Sequence, residues 1–164
     1  MKKKKIQNIA IAAIAAVIIG SIIGYNYYID QINVKGFNFG NELQQIQDVV
    51  TKLQNDFSSK TVQWKEGDLT KEELLEYSNN YISEMEKIIP RYGKLIPPEP
   101  YVTSVELFKL STESQIESDR EFIKWIETGD DSHMIRSESL IQEALQYELA
   151  ALADYKDAQR GLGQ

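Results

Sequence analysis

The densest run of side chains with chemistry in them is STESQIESDRE, from Ser111 to Glu121. An apolar helical stripe that begins at Val105 and Phe108 passes next through Thr112, Gln115 and Asp119, all three polar. The last helical segment offers Arg136, Ser137, Glu138, Gln142, Glu143 and Glu148 to meet them. Three arrangements satisfy this pattern. In the first, the helix turns so that Ile116 is buried and the polar face stays wet. In the second, Gln115, Asp119, Arg120, Arg136 and Glu143 form a polar layer inside a bundle, since buried charges must be paired and hydrogen-bonded. In the third, the same layer holds a small ligand.

Catalytic alternatives fail on residue supply. Without cysteine there are no disulfides, thiolate metal sites, iron–sulfur clusters or c-type haem attachment. A di-iron carboxylate bundle needs two Glu-x-x-His pairs, and His133 is the one histidine of the chain. A copper site at His133 and Met134 lacks further ligands, because the other methionines are Met1 and Met85. Nucleophilic triads fail on the same shortage. The 9 glycines are scattered at turns and form no phosphate cradle. We therefore expect no catalytic residue, no metal ligand and no cofactor, and the chain reads as a non-enzyme.

The elements that would position this layer are helical. An N-cap pattern at Asn41 with Gln44 precedes a stripe of Leu43, Ile46, Val50, Leu53, Phe57 and Trp64, which Gly67 ends. Thr70 with Glu73 makes a better capping box, followed by Leu74, Tyr77, Tyr81, Met85, Ile88 and Tyr92. Pro97, Pro98 and Pro100 form a rigid crossover. A third helix is expected from Thr103 with Glu106, and a fourth from Asp130 or Ser132 to about Ala158. The shift that superposes Gly67-Asp68 on Gly129-Asp130 also carries Leu43 onto Val105 and Ile46 onto Phe108, while the tryptophans miss by one position. Two αα-hairpins joined by a proline-rich crossover describe an antiparallel four-helix bundle, over residues 41–160, with a flexible tail at 161–164.

Ahead of the bundle, Lys2 to Lys5 lead an uncharged run from Ile6 to Tyr28. At 1.5 Å per residue that run spans about 34 Å, enough for a hydrocarbon layer of roughly 30 Å. The lysines place the N-terminus in the cytoplasm, and Tyr25, Tyr27 and Tyr28 suit the far interface. A cleaved signal peptide shares the pattern, but its apolar region is usually shorter and ends at a small-x-small site. The expected organisation is an anchor at residues 1–29, a linker at 30–40 and an extracytoplasmic bundle, in a single-pass cell-membrane protein. So little chain faces the cytoplasm that it cannot carry an output domain. Gly20, Ser21 and Gly24 form a small-residue face suited to packing against another membrane helix.

The net charge of −7 conceals an asymmetry. Lys2 to Lys5 account for four of 18 basic residues, whereas none of the 25 acidic residues precedes Asp30. Beyond the anchor the chain is strongly acidic, which argues against nucleic acid as a partner. Tyr101, beside the prolines, is a candidate contact for a protein partner.

The stretch ESDREFIKWIETGDDSHMIRSESLIQEALQYELAALADY, with its W-x-x-x-G-D turn at Trp125–Asp130 and Y-E-x-x-x-L run at Tyr147–Leu152, resembles a group of small single-span helical proteins of archaea. Some proteins of that kind are accessory subunits of large membrane enzymes, including archaeal ammonia monooxygenase. The resemblance implies a protein partner and no catalytic residues. The sequence reading is thus a non-enzymatic interaction or accessory subunit, acting as a homo-oligomer or with another protein. The alternative is an extracytoplasmic small-ligand or sensor-like bundle that uses the polar layer.

Overall fold

The computed structural model describes residues 37–162, which are helical and form no strand. Four long helices carry the architecture: α1 (Phe37–Glu66), α2 (Lys71–Glu86), α3 (Val102–Thr128) and α4 (Asp131–Leu162). A single turn of helix at Ile89–Tyr92 and a 3-10 turn at Glu99–Tyr101 lie in the crossover between α2 and α3. Among the described residues no helix is long and apolar enough to cross a membrane. The expected span, Ile6 to Tyr28, lies outside those residues, as do Gly20, Ser21 and Gly24.

Both tight reversals follow from glycine. Gly67 and Gly129 adopt φ of 88° and 72°, the left-handed conformation that a residue without Cβ adopts at little cost. At the first reversal Asp68 N–H donates to the Gln63 carbonyl and Gly67 N–H to that of Trp64, so orphan carbonyls of α1 are satisfied. At the second, Gly129 N–H donates to the Trp125 carbonyl at 2.8 Å. Thr70 then opens α2 with a reciprocal capping box: Thr70 Oγ1 accepts from Glu73 N–H, and Glu73 Oε2 accepts from Thr70 N–H. The same backbone bond holds the Glu73 carboxyl below the usual carboxylate range. Asp130 Oδ1 accepts from Ser132 N–H at 2.9 Å and caps the start of α4.

Two helix starts differ from the sequence expectation. α1 begins at Phe37, not Asn41, so Gly40 lies within the helix and the expected linker gives up its last residues. The reason is tertiary. Phe39 is buried against Tyr101, ring centroids 5.6 Å apart, and that burial outweighs a helical glycine's cost of about 1 kcal/mol. α3 begins at Val102 without a side-chain cap, because the chain enters it through the 3-10 turn. Ser104, inside the expected Thr103–Glu106 box, instead donates its hydroxyl to the Tyr101 carbonyl.

The core runs the length of the bundle. Ring contacts fix the order: Phe39 against Tyr101 and Tyr101 against Tyr155 at one end, Phe57 against Tyr81 and Phe122 in the middle, Trp64 against Trp125 at the other end. α1 and α3 therefore run in the same direction. Their hairpin partners, α2 and α4, return antiparallel.

Candidate functional site

The polar residues predicted near the middle of α3 do meet other helices, and most of them are hidden from solvent. Asp119 is 1% exposed. Its Oδ2 accepts a 2.6 Å hydrogen bond from the Tyr81 hydroxyl of α2, and its Oδ1 accepts from Gln115 Nε2 at 2.9 Å. Among the described residues no cation compensates it. Burial pushes the Asp119 carboxyl up to about 7, while the two donors pull it down and only partly offset the effect. Tyr81 is driven the same way: burial first, then the neighbouring Asp119 charge, hold its phenol protonated and donating.

A second polar chain lies nearer the crossover. Gln47 Nε2 of α1 donates to the Tyr92 hydroxyl at 2.9 Å, and Tyr92 lies 2.9 Å from Thr112 Oγ1 of α3. Thr112 gives its own proton to the Phe108 carbonyl, so Tyr92 is the donor to Thr112. Burial pushes the Tyr92 phenol above its ordinary value. This relay ties three elements together with each hydroxyl satisfied, which is what a buried polar group requires.

The third feature is a seam between α3 and α4. Ser104, Ser111 and Ser118 recur at heptad spacing on α3, and Ser137, Ala144 and Ala151 do so on α4; all six are buried. Ser111 donates its hydroxyl to the Ala144 carbonyl at 2.9 Å, and Ser118 donates to the Ser137 carbonyl at 2.9 Å. A side chain as short as serine reaches the facing backbone only where the two helices lie close. With the Ser118 proton on that carbonyl, Ser137 Oγ is the donor in the 3.1 Å contact with Ser118 Oγ. Of these six residues the sequence pattern above singles out Ser137, and the seam itself is a finding of the structure. Its signal was the heptad recurrence of small residues on two consecutive helices.

The structure brings together Gln115 and Asp119 of the expected layer and leaves out the rest. Arg120 is half-buried and points outward, paired with Glu117 of its own helix and Glu86 near the end of α2. Arg136 and Glu143 are exposed on the outer side of α4, and Glu143 accepts a 3.3 Å hydrogen bond from Tyr147. The cross-helix charge pairing of Asp119, Arg120, Arg136 and Glu143 is therefore corrected to a neutral-donor layer made by Tyr81 and Gln115. Desolvating four charges would cost more than burying one carboxyl that can stay protonated. Tyr101, the candidate partner contact, packs at the end of the core. Its ring is half-buried between Phe39 and Tyr155, which removes part of its apolar surface from water.

His133, the one histidine, is half-buried, with Nδ1 2.6 Å from Glu121 Oε2 across the α3–α4 turn. Lys124 and then His133 hold the Glu121 carboxyl below its ordinary range. Among the described residues no three His, Cys, Asp or Glu side chains converge on a point where a metal would sit. A shallow cleft of about 260 Å³ lies between α1 and α2, lined by Lys60, Leu69, Glu73, Glu76, Tyr77 and Asn80. It is open to solvent, and Lys60 Nζ stands 6.0 Å over the Tyr77 ring there. Searches of protein families, curated proteins and solved structures found no match to this chain.

Proposed function

We propose that the chain is a non-enzymatic interaction or accessory subunit, anchored by a single N-terminal span and acting through an extracytoplasmic helical bundle. The observation that carries this reading is the division between core and surface. Asp119, Gln115 and Tyr81, and separately Tyr92 with Gln47 and Thr112, spend their hydrogen bonds on protein partners inside the bundle. Large apolar side chains stand outside: Ile135 is 63% exposed, Leu149 55%, Val102 52% and Ile96 87%. An acidic, soluble surface that keeps such residues exposed is suited to contact with another protein. The lysine-led apolar run ahead of the bundle supports membrane attachment, and the archaeal resemblance supports an accessory role.

The test is made on the full chain in its native membrane. The chain is expected to resist alkaline extraction and, after gentle solubilisation, to migrate as an assembly larger than its own monomer. Release by alkaline wash, or recovery as a monomer alone, overturns the reading.

A second reading, a small-ligand bundle, draws on one feature. Gln115 Oε1 and Gln54 Oε1 are buried without hydrogen-bond partners, an arrangement that would welcome a small donor. Thermal melting against a panel of small polar compounds separates the two readings. A compound that raises the melting temperature of the native chain but not of a Gln115→Leu variant favours the ligand bundle.

A further inference from the structure

Beside its exposed Arg136 and Glu143, the outer face of α4 carries an uncharged stripe of a kind that the other outer faces of the bundle lack. Exposed acids interrupt the rest: Asp48 and Asp56 on α1, Glu76 and Glu84 on α2, Glu106 and Glu117 on α3. On α4, Ile135, Ser139, Gln142, Gln146, Leu149 and Ala153 are all exposed and uncharged. Their steps alternate between four and three, the spacing that keeps one stripe of a helix against a partner helix. The seam with α3 uses the opposite side of α4, through Ser137, Ala144 and Ala151, so this stripe is unoccupied by the bundle itself.

We propose that this stripe is a homodimer interface in which α4 packs antiparallel against α4 of a second copy. The inference deepens the interaction reading above and rests on it. Three properties of the stripe select a second copy as the occupant. It is self-complementary in size when reversed: Gln142 faces Gln146 of the second copy, Ser139 faces Leu149, and Ile135 faces Ala153, so each large side chain meets a small one. The two central glutamines present a donor and an acceptor each, which satisfies amide against amide across the dyad. The stripe positions themselves carry no charge, so two copies of a chain with net charge −7 meet there through uncharged side chains.

Two acids border the stripe, the half-buried Glu138 on one edge and the exposed Glu143 on the other. Glu143 flanks the dyad, so the two copies bring their Glu143 side chains close together there. The stripe is about 27 Å long at 1.5 Å per residue. A single helix pair of that length buries on the order of 600–800 Å², below the roughly 1,000 Å² of a stable soluble complex. The dimer is accordingly weak in dilute solution. It forms where two anchors hold the bundles in one membrane and raise their effective concentration to the millimolar range.

Because the chain has no cysteine, single substitutions report on geometry cleanly. Gln142→Cys and Gln146→Cys chains carrying different tags are co-expressed in membranes and treated with a short bis-maleimide. The mixed pair is expected to cross-link at least about fivefold more than either variant with itself. Leu149→Glu on the same background is expected to lower that product about tenfold, and Glu143→Gln to raise it, with helix content unchanged in both. Preferential linking of like positions means a parallel pair and overturns the proposal. Absence of any cross-link at stripe positions, while the chain still migrates as a larger assembly, overturns the dimer and leaves the accessory-subunit reading standing. A monomer in the native membrane overturns both.

Discussion

The two hairpins share their turns and differ in how their helices meet. Superposing Gly67-Asp68 on Gly129-Asp130 places the small residues Ser137, Ala144 and Ala151 of α4 on Leu75, Ile82 and Ile89 of the first hairpin. The same shift places Ser104, Ser111 and Ser118 of α3 on Glu42, Val49 and Asp56 of α1. The second hairpin thus has a seam of small residues and hydroxyl-to-carbonyl bonds, and its helices lie close along their length. In the first hairpin the equivalent positions are large or exposed, and contact is made by rings instead: Phe57 stacks on Tyr81 at 4.3 Å with planes 5° apart. Phe57 falls on Asp119 under the same shift, so the ring of one half stands where the buried carboxyl of the other does. The lesson is that a common turn chemistry sets hairpin length and reversal, while side-chain size along the facing stripe sets how tightly the helices close.

The largest expected effect is at the ring contact. Phe57 is 1% exposed and touches both Tyr81 and Phe122. Phe57→Ala should destabilise the chain by about 3–5 kcal/mol in urea melts followed by tryptophan fluorescence. A loss under about 1 kcal/mol would mean that the first hairpin is not held by its rings.

At the seam the direction reverses, because adding volume is what harms. Ala144 is fully buried opposite Ser111. Ala144→Leu should cost about 1–3 kcal/mol through overpacking, whereas Ile82→Leu, its counterpart under the shift, should cost less than about 1.5 kcal/mol. Equal costs would remove the distinction between the two hairpins.

The Tyr81–Asp119 bond joins the two halves and carries the pH dependence. The folded-state value of about 7 lies above the ordinary aspartate value of 3.8, so the folded chain holds this proton more tightly than the unfolded chain. The stability contributed by protonated Asp119 is fully present below about pH 4 and lost as pH rises through about 7. Asp119→Asn keeps an acceptor for Tyr81, and its amide can donate to Gln115 Oε1, now without a partner. The variant should flatten the melting profile between pH 4 and 7 and be more stable than the parent at pH 8, by on the order of 1–2 kcal/mol. An unchanged slope would place the titration elsewhere.

The smallest effect tests the turns that the two hairpins share. Thr70→Ala removes the side chain that caps α2 and should cost about 1 kcal/mol. Gly129→Ala, which puts a Cβ at φ of 72°, should cost about the same, on the order of 1 kcal/mol. A much larger loss at either position would mean that the turns also carry tertiary contacts.

The sequence by itself determined the all-helical class, the positions of both reversals and the capping box at Thr70, because these rest on interactions within a few residues. It also marked Gln115 and Asp119, since two polar residues on an apolar stripe leave a visible gap in the period. Tertiary structure decided which groups they meet. Tyr81 lies far along the chain on another helix and was read as ordinary core, and the nearer Arg120 turns away to Glu86 and Glu117. It also decided that α1 starts at Phe37, that Tyr101 turns inward, and that serines close one hairpin while rings close the other. The physical reason is common to all of these: caps and periods are set by local backbone geometry. Partner choice, burial and helix separation depend on side chains from distant segments competing for one core.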